Sequence, residues 1–483
     1  MNILFCASEV QPLIKTGGLA DVCGSLPKVL QAQGHDVRIL MPAYLSVLQK
    51  LAKPLQTFPL APESGGEPSQ LLESRLPDTE LPLYLLDAPH YFAREGNPYG
   101  QPNGEDWPDN GARFGYFCKV IAQTALNQTG LNWQPDILHC NDWQTGLVPA
   151  LLQSAPSLTR PKTLFTIHNL AYQGLFPQSL FDYLQLPAEL WSIAGVEFYG
   201  QLSFLKAGLV YADWISTVSP TYAKEIQTTA FGCGLEGVLQ ERSTRLRGIL
   251  NGVDYDHWHP EKDALIAAPF SSEDLSGKVK NKLALQKEMG LPINAKVMLI
   301  GNIGRLVPQK GIDLLLELIP ALKDRPIQLV ILGSGNLEIE QELAALSEQE
   351  SSWFRFHTGY DEGLAHRIEA GADLFLMPSR FEPCGLNQIY SLAYGTLPLV
   401  RNTGGLADTV IGWSPTKRME NIATGFMIND ASSADLLTML DLAIAVYKRT
   451  DTWKKLVINA MSKDYSWDQS ARHYLDLYRE LLA

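Results

Sequence analysis

The chain has 483 residues, 46% of them hydrophobic and 19% charged, with a formal net charge of −13 at pH 7. A chain of this length is too long for one hydrophobic core and predicts either two large domains or about three smaller ones. The acidic balance excludes nucleic acid and anionic membranes as the main partners, because both attract basic surfaces.

The six cysteines are scattered along the chain and form no Cys-x-x-Cys pair, which is typical of reduced thiols in the cytoplasm. Residues 1–5 predict a buried strand rather than a signal peptide. No apolar run is long enough to span a bilayer. We therefore expect a cytoplasmic protein that does not enter a membrane.

The first half of the chain predicts an α/β domain that opens with a strand, a helix and a second strand. The predicted strands of this half are residues 3–7, 36–41, 136–140, 162–167, 214–218 and 246–250. A polar stretch at 61–68 predicts a mobile loop. The long loop at 96–111 predicts a segment that is either functional or disordered.

The second half repeats this alternation after residues 251–260, which have the composition of an interdomain linker. Its predicted strands are residues 297–301, 328–332, 354–357, 374–377 and 397–400, and its last predicted helices are 434–446, 453–461 and 467–482. We predict an α/β protein of two doubly wound domains with a cleft between them, residues 1–250 and 251–463.

The stretch from 377 to 410 carries the strongest chemical signal. A predicted strand stops at Pro378, and Glu382 follows in a loop bracketed by proline and glycine. The next predicted strand runs into a turn at Gly404 and Gly405. Open α/β sheets bind ligands at the carboxyl ends of their strands, and glycine turns there favour anions. This arrangement predicts a site for a sugar nucleotide.

The hexapeptide Thr-Gly-Gly-Leu-Ala-Asp occurs twice, at residues 16–21 and 403–408. One interpretation is a pair of anion-facing turns that close on one ligand from opposite sides. The other is a helix N-terminus that needs small residues. Lys15 directly precedes the first copy, and a cation there favours the anion interpretation.

Arg305 and Lys310 are predicted in a glycine-rich loop between a strand and a helix. Fixed cations at such a place stabilise the charge that builds on phosphate oxygens when a nucleoside diphosphate leaves. The alternative is two solvated surface cations. Gly333 and Gly335 resemble the start of a dinucleotide fingerprint, but the third glycine is missing, which excludes NAD.

The run from Asp254 to His259 contains an Asp-x-Asp pair and two histidines, a set that could bind manganese. The alternative is a turn built by aspartates beside a packed Trp258. His168 and Asp142 each follow a predicted strand and could form the floor of an active site, although a single strand-end histidine often serves structure alone.

Six motifs occur in order along the whole chain. They are Lys-Thr-Gly-Gly-Leu-Ala-Asp at 15–21, Asn-Asp-Trp at 141–143, Thr-Ile-His-Asn at 166–169, Asn-Gly-Val-Asp at 251–254, Gly-Arg with Gln-Lys-Gly at 304–311, and Ser-Arg-Phe-Glu-Pro-Cys-Gly-Leu at 379–386. Together they resemble the bacterial glycogen synthase and plant starch synthase family. The resemblance implies the GT-B glycosyltransferase fold, with a final helix over 464–483 that returns to the first domain. It also implies an acceptor-binding, catalytic first domain and a second domain that binds the sugar nucleotide.

The family resemblance further implies transfer of glucose from ADP-glucose to the non-reducing end of an α-1,4-glucan such as glycogen. The anomeric configuration is retained, and neither a metal nor a cofactor takes part. The catalytic residues implied by the family are Glu382, Lys310, Arg305, His168 and Asp142. The substrate-binding residues implied by the family are Lys15, Gly18, Asp21, Asn251, Tyr360, Cys384, Gly385, Leu386, Thr403, Gly404 and Gly405.

Within these sets the family implies that Lys15 and Gly18 contact the diphosphate and that Tyr360 stacks on the adenine. Many related enzymes carry a second glutamate eight residues after the first. That position is Tyr390 here, which separates this chain from sucrose- and trehalose-type transferases. No second carboxylate is an obvious nucleophile, so we expect same-face attack. We also expect the domains to close around the donor, which solution scattering would detect as compaction.

Overall fold

The computed structural model describes residues 1–51, 53–61, 67–155 and 160–483. Most of the stretch at 61–68, for which the sequence predicts a mobile loop, lies outside the described residues. The chain divides into two compact units, one formed by residues 1–252 together with 467–483 and the other by residues 253–466. The functional roles that the family resemblance assigns to the domains remain predictions.

The first unit is built on a nine-stranded sheet with the order β12-β11-β7-β6-β1-β2-β5-β4-β3 and a small sheet with the order β8-β10-β9. Its strands are β1 Asn2–Cys6, β2 Asp36–Pro42, β3 Gln56–Pro59, β4 Gln70–Arg75, β5 Pro82–Asp87, β6 Ile137–Asn141, β7 Lys162–Ile167, β8 Leu175–Pro177, β9 Glu197–Phe198, β10 Gln201–Ser203, β11 Trp214–Thr217 and β12 Leu246–Gly248. The seven strands from β12 to β5 pair in parallel, and β4 and β3 continue the sheet antiparallel.

Helices connect and cover the strands of the first unit. They are α1 Gly18–Ala32, α2 Leu45–Leu48, α3 Pro89–Phe92, α4 Asn110–Ala125, α5 Val148–Ser154, α6 Gln178–Tyr183, α7 Phe204–Tyr211, α8 Pro220–Glu225 and α9 Glu236–Glu241. Strands β1, β6, β7 and β11 are buried along nearly their whole length, as strands covered on both faces must be. Their side chains and the inner helix faces form one continuous core.

The second unit is built on a six-stranded parallel sheet with the order β15-β14-β13-β16-β17-β18. Its strands are β13 Met298–Leu306, β14 Ile327–Gly335, β15 Phe354–Thr358, β16 Leu374–Met377, β17 Leu397–Arg401 and β18 Phe426–Ile428. Its helices are α10 Ser276–Glu288, α11 Ile312–Leu322, α12 Leu337–Gln349, α13 Glu362–Gly371, α14 Asn387–Ala393, α15 Gly404–Thr409, α16 Lys417–Ile422, α17 Ser433–Tyr447 and α18 Thr450–Met461.

Two strands of the second unit run further than the sequence predicts. Strand β13 continues through Gly304 and Arg305, so the prediction of Arg305 in a loop is wrong. Strand β14 likewise continues through Gly333, which pairs with Gly304. A Cβ at Gly333 would overlap the Gly304 carbonyl oxygen. Gly333 therefore allows two backbones to approach closely within the sheet.

The last helix, α19 Trp467–Leu482, packs in the core of the first unit. The hydroxyl of its fully buried Tyr478 lies 2.7 Å from Nδ1 of His139 in β6. None of the helices in the described part of the chain is long and apolar enough to cross a membrane.

Candidate active site

Each large sheet has a point where the order of its strands reverses. In the first unit the chain runs from β1 outward through β2 and β5 and then returns to β6 on the other side of β1. In the second unit it runs from β13 through β14 and β15 and returns to β16 on the other side of β13. Doubly wound sheets bind ligands at the carboxyl ends of the strands that flank such a point. In the first unit Lys15 follows β1 and Asp142 follows β6, and in the second unit Lys310 follows β13 and Glu382 follows β16.

Asp142 follows β6 directly and has a backbone that side-chain-bearing residues rarely adopt, with φ 58° and ψ 179°. This region is populated almost only by glycine, and holding another residue there costs about 1–3 kcal/mol. The surrounding hydrogen bonds enforce it. The Asp142 N–H donates to the Thr166 carbonyl oxygen at 2.9 Å, and Asp142 Oδ1 accepts the His168 N–H at 2.8 Å. Strain that the fold maintains in this way is typical of a functional position.

The environment shifts the proton equilibria of both residues. Burial raises the pKa of Asp142 to about 7, against an ordinary value of 3.8, although N–H groups of His168 and Asn169 oppose the shift. Burial lowers the pKa of His168 to about 3. The imidazole of His168 is therefore neutral at physiological pH. The Asp142 carboxyl group, in contrast, changes between its protonated and ionised forms near this pH.

The hydrogen-bond network of Asn141 assigns the tautomer of His168. The side-chain amide nitrogen of Asn141 donates to the carbonyl oxygen of Cys6 at 3.1 Å, so Oδ1 of Asn141 is the acceptor for His168 Nε2 at 2.9 Å. Nε2 then carries the proton of the neutral ring, and Nδ1 is its acceptor nitrogen. His168 thus presents a lone pair rather than a positive charge.

The first copy of the hexapeptide leads into α1, and its first three residues, Thr16, Gly17 and Gly18, are exposed. Lys15 Nζ lies 2.8 Å from Asp21 Oδ1, and the two side chains are 35% and 20% exposed. A Cβ added at Gly17 or Gly18 would meet nothing within 4 Å in the part of the chain that the structure describes. The structure therefore brings Lys15 and Asp21 together and leaves open space above both glycines.

Glu9 contacts the residue that precedes the first glycine turn, and the sequence pattern did not single it out. Its buried carboxylate accepts the backbone N–H of Thr16, the Thr16 hydroxyl at 2.7 Å and the Tyr99 hydroxyl. Burial raises its pKa, against these hydrogen bonds. Glu9 thereby ties the residue before the glycine turn to the long loop at 96–111. The signal in the sequence was an ionisable residue three positions after the end of β1.

In the second unit the predicted residues Lys310 and Glu382 form an ion pair, with Nζ 2.6 Å from Oε2 and side chains 25% and 7% exposed. The same oxygen accepts the Ser379 hydroxyl at 3.0 Å. Lys310 precedes α11 and Glu382 follows β16, so the pair joins the two loops at the reversal point of the sheet. A nearly buried carboxylate thus holds a partly exposed ammonium in place.

The backbone fixes these two loops against each other. Gly311 takes the left-handed conformation with φ 68°, and a Cβ there would overlap the carbonyl oxygen of Pro378. The Arg380 N–H donates to the carbonyl oxygen of Gln309 at 2.8 Å, and the Arg380 guanidinium pairs with Asp313 in α11. Lys310 and Glu382 therefore meet through rigid backbone rather than through flexible side chains alone.

The second copy of the hexapeptide packs directly on the loop of Glu382. The Gly405 N–H donates to the carbonyl oxygen of Glu382 at 3.1 Å. A Cβ on Gly404 would overlap this same carbonyl group, and one on Gly405 would overlap the backbone of Cys384. Gly404 also has a positive φ of 45°. Both glycines are required here because two backbones touch.

The remaining predicted residues differ in their exposure. Cys384 and Thr403 are buried, Gly385 has a φ of 72°, and Leu386 packs beside Ile389 and Tyr390. Arg305 is exposed within β13. Tyr360 is 76% exposed between β15 and α13. Asn251 is buried, and its Oδ1 has no hydrogen-bond partner among the described residues. The roles expected of these residues remain predictions.

The Asp-x-Asp pair at 254–256 builds a turn, as one of its two interpretations predicts. Oδ1 of Asp254 accepts the Asp256 N–H at 3.0 Å, and its carbonyl oxygen accepts the Trp258 N–H at 2.9 Å. The Asp256 side chain is 91% exposed and pairs with Lys262. This geometry explains the aspartates as turn formers and gives no support to manganese binding by the Asp-x-Asp pair.

Comparison with family models assigns both units. Residues 2–241 match the starch synthase catalytic domain, and residues 286–455 match the glycosyl transferases of group 1. The chain is 51% identical over 485 residues to a glycogen synthase of Thioalkalivibrio sulfidiphilus, with all of both chains covered. It is also 51% identical over 485 residues to glycogen synthase 1 of Methylococcus capsulatus, covering all of this chain and 97% of the relative.

Solved structures give the same assignment of the fold. The catalytic domain of starch synthase IV from Arabidopsis thaliana, bound to ADP and acarbose, superposes with a TM-score of 0.88 at 32% identity, covering 100% of this chain and 99% of that one. A sucrose-phosphate synthase from Thermosynechococcus elongatus superposes with a TM-score of 0.59 at 17% identity, covering 99% and 98%, and shows similarity of fold alone.

Proposed function

This chain belongs to the glycogen synthase family of glucosyltransferases with the GT-B fold, and on that premise we propose that it transfers glucose from ADP-glucose to the non-reducing end of an α-1,4-glucan. The observation that carries the proposal is the full-length match to glycogen synthases. The related starch synthase bound to ADP supports ADP as the released product.

The departing diphosphate is the proposed target of Lys310 and Arg305. A lysine ammonium has three N–H donors, and Glu382 takes one of those of Lys310 at 2.6 Å. The other two are available to phosphate oxygens. Because the loops hold the ammonium in position before substrate binds, little reorganisation is needed as negative charge builds on the leaving ADP.

Glu382 has two proposed roles that its position supports. Its buried carboxylate restrains Lys310 through Oε2, and the family resemblance implies that the same group lies beside the donor glucose. Cys384, Gly404 and Gly405 fix the backbone of that loop. The loop therefore acts as one rigid body that orients the donor.

Lys15 and Gly18 are proposed to bind the diphosphate through the first unit. The Lys15 ammonium pairs with Asp21 and is partly exposed, so a phosphate oxygen competes with a screened ion pair rather than a buried one. The open space above Gly18 lets a phosphate approach the N-terminus of α1, where backbone N–H groups and the helix dipole favour anions.

His168 and Asp142 are proposed to contact the reacting sugars. A neutral His168 supplies an acceptor nitrogen to a sugar hydroxyl, and Asp142 supplies a carboxyl group whose pKa of about 7 lies near the working pH. We assign neither as a covalent nucleophile. Retention of configuration then follows from attack on the face that ADP leaves, with a phosphate oxygen accepting the proton of the acceptor hydroxyl.

The cytoplasm is the proposed location. All six cysteines are free thiols, namely Cys6, Cys23, Cys118, Cys140, Cys233 and Cys384. Free thiols persist in reducing compartments.

Release of ADP tests the proposed function directly. Purified protein is incubated with ADP-glucose, with and without glycogen, in the presence of a chelator. Glycogen-dependent ADP release is expected, with a lower rate when UDP-glucose replaces ADP-glucose. A preference for UDP-glucose would identify a transferase with another donor, and no ADP release with intact glycogen binding would identify a non-catalytic glucan-binding protein. The anomeric proton signal of the elongated product, measured by NMR, tests retention separately.

A further inference from the structure

A set of metal-type ligands lies in the second unit, outside the residues assigned to glucosyl transfer. It consists of His257 in the loop after β12, and Glu362 and His366 in α13. One ligand atom of each residue lies within 4.8 Å of the other two. His257 Nε2 is 3.0 Å from Glu362 Oε1. Glu362 and His366 are four residues apart and share one face of the helix.

His366 has a buried nitrogen that the described residues leave unsatisfied. Its side chain is completely buried, and Nδ1 donates to Asp263 Oδ2 at 2.7 Å. Nε2 has no hydrogen-bond partner among the described residues, although it is shielded from water. Buried polar atoms nearly always have a partner, and an orphan of this kind calls for an explanation such as a bound water or ion. Its lone pair fits a cation.

The neighbours of His366 hold its ring in the orientation of a metal ligand. The Asp263 carboxylate that accepts Nδ1–H also accepts the Tyr394 hydroxyl at 2.6 Å. A carboxylate on the far nitrogen is the usual partner of a metal-binding histidine, because it fixes the tautomer and orients the ring. Trp258 stacks on the His366 ring with centroids 3.6 Å apart and planes 15° apart. The ring therefore has little freedom.

We propose that His257, Glu362 and His366 bind a zinc ion, with the fourth coordination position open to water. Two histidines and one carboxylate are an established zinc ligand set. Ligand atoms around tetrahedral zinc are about 3.3 Å apart when each bond is about 2.0–2.1 Å. The side chains of His257 and Glu362 are 53% and 43% exposed, so both can rotate. Their rotation brings the three ligand atoms to this separation around the fixed His366 ring.

The ion would join two segments that are distant in sequence. His257 belongs to the turn built by Asp254, and Glu362 begins α13 directly after Tyr360 and Asp361. Zinc therefore stabilises the second unit by tying its first loop to α13. The zinc ion takes no part in the proposed transfer of glucose, so the site is tested by measuring zinc binding rather than enzyme activity.

Zinc titration of the full chain tests the site. After treatment with a chelator and buffer exchange, equilibrium dialysis against Zn²⁺ with metal analysis is expected to give one tight equivalent. His257→Ala and Glu362→Gln are each expected to weaken binding by about 100-fold or more, since loss of even a group that only hydrogen-bonds to a ligand typically weakens it about 10–100-fold. His259→Ala is the matched control, because His259 lies in the same loop outside the set.

Two further measurements distinguish this zinc site from metal binding elsewhere on the chain. Cys233→Ser removes the exposed thiol and is expected to keep the zinc equivalent. Zinc is expected to raise the melting temperature of the wild type and of His259→Ala, but not of His257→Ala. The proposal is wrong if the wild type binds no zinc saturably, or if either His257→Ala or Glu362→Gln keeps the wild-type affinity.

Discussion

The two copies of Thr-Gly-Gly-Leu-Ala-Asp have the same sequence and lie in different environments. Both begin a helix, α1 at Gly18 and α15 at Gly404. Above Gly17 and Gly18 the described residues leave open space, whereas Gly404 and Gly405 press against the backbone of residues 382–384. The same glycine pair therefore leaves room for a ligand in one unit and permits internal packing in the other.

The ion pairs near the two copies also differ, in how far apart their partners are in the sequence. In the first unit Lys15 pairs with Asp21, six residues away within the motif. In the second unit Lys310 pairs with Glu382, which is 72 residues away on another loop. The backbone strain is also distributed differently. Among the candidate site residues of the first unit it falls on Asp142, with φ 58°, whereas glycines carry the positive φ values around Glu382.

The largest expected effect is that of Lys310→Ala. Removal of a preorganised donor from a developing phosphate charge is expected to lower kcat by about 10²–10³-fold. Lys323→Ala is the matched control, because Lys323 also pairs with a glutamate of the second unit but is 60% exposed. Measured ADP release should be lost in the first variant and kept in the second. Equal activity in both would refute the role of Lys310.

The next expected effect is a loss of stability, and it tests whether the two glycine pairs differ in their packing. Gly404→Ala is expected to destabilise the second unit by about 3 kcal/mol, because the new Cβ overlaps the Glu382 carbonyl group and the positive φ disfavours alanine. Urea unfolding followed by tryptophan fluorescence measures the shift of the midpoint. A midpoint unchanged from wild type would mean that the packing of the second copy is not needed.

Asp142→Asn tests the strand-end cluster of the first unit through pH. The pKa of Asp142 is about 7 in the fold and 3.8 ordinarily, so between these pH values the folded protein holds a proton that the unfolded chain has lost. The free energy of unfolding of the wild type therefore falls as pH rises from about 4 to about 7. The variant should be more stable by about 4 kcal/mol at pH 8 and equal to wild type near pH 4. Urea midpoints at both pH values measure this, and a difference that does not depend on pH would contradict the prediction.

Gly18→Ala has the smallest effect on stability and completes the comparison. The added methyl group enters open space at a helix start, so the free energy of unfolding is expected to change by less than about 1 kcal/mol. If the diphosphate approaches this backbone, KM for ADP-glucose should rise about tenfold, a change of about 1.4 kcal/mol. An unchanged KM would show that the space above Gly18 is not used by the donor.

Much of the fold follows from local pattern, and its gaps have physical causes. Apolar runs located the long parallel strands, because strands covered on both faces have no polar side. The ends of β13 and β14 were misjudged because glycines that permit strand pairing look the same as glycines that form turns. The small sheet β8-β10-β9 was missed, since strands of two or three residues have no periodicity.

The candidate site was predictable only where its partners are close in sequence or part of a family motif. Lys15 and Asp21 belong to one motif, and their ion pair joins residues only six positions apart. The ion pair of Lys310 with Glu382 requires the topology of the sheet. Glu9 was missed because a single carboxylate has no spacing to interpret. His257 and Glu362 are 105 residues apart, and only the fold brings them together.

The position of α19 has a consequence for synthesis on the ribosome. The core of the first unit includes Trp467, Tyr474 and Tyr478 of this helix, while the second unit is complete by Ser466. Domains commonly mature in the order of translation. Here that order is inverted, because the N-terminal half of the nascent polypeptide must wait for the last helix to emerge before its core can close.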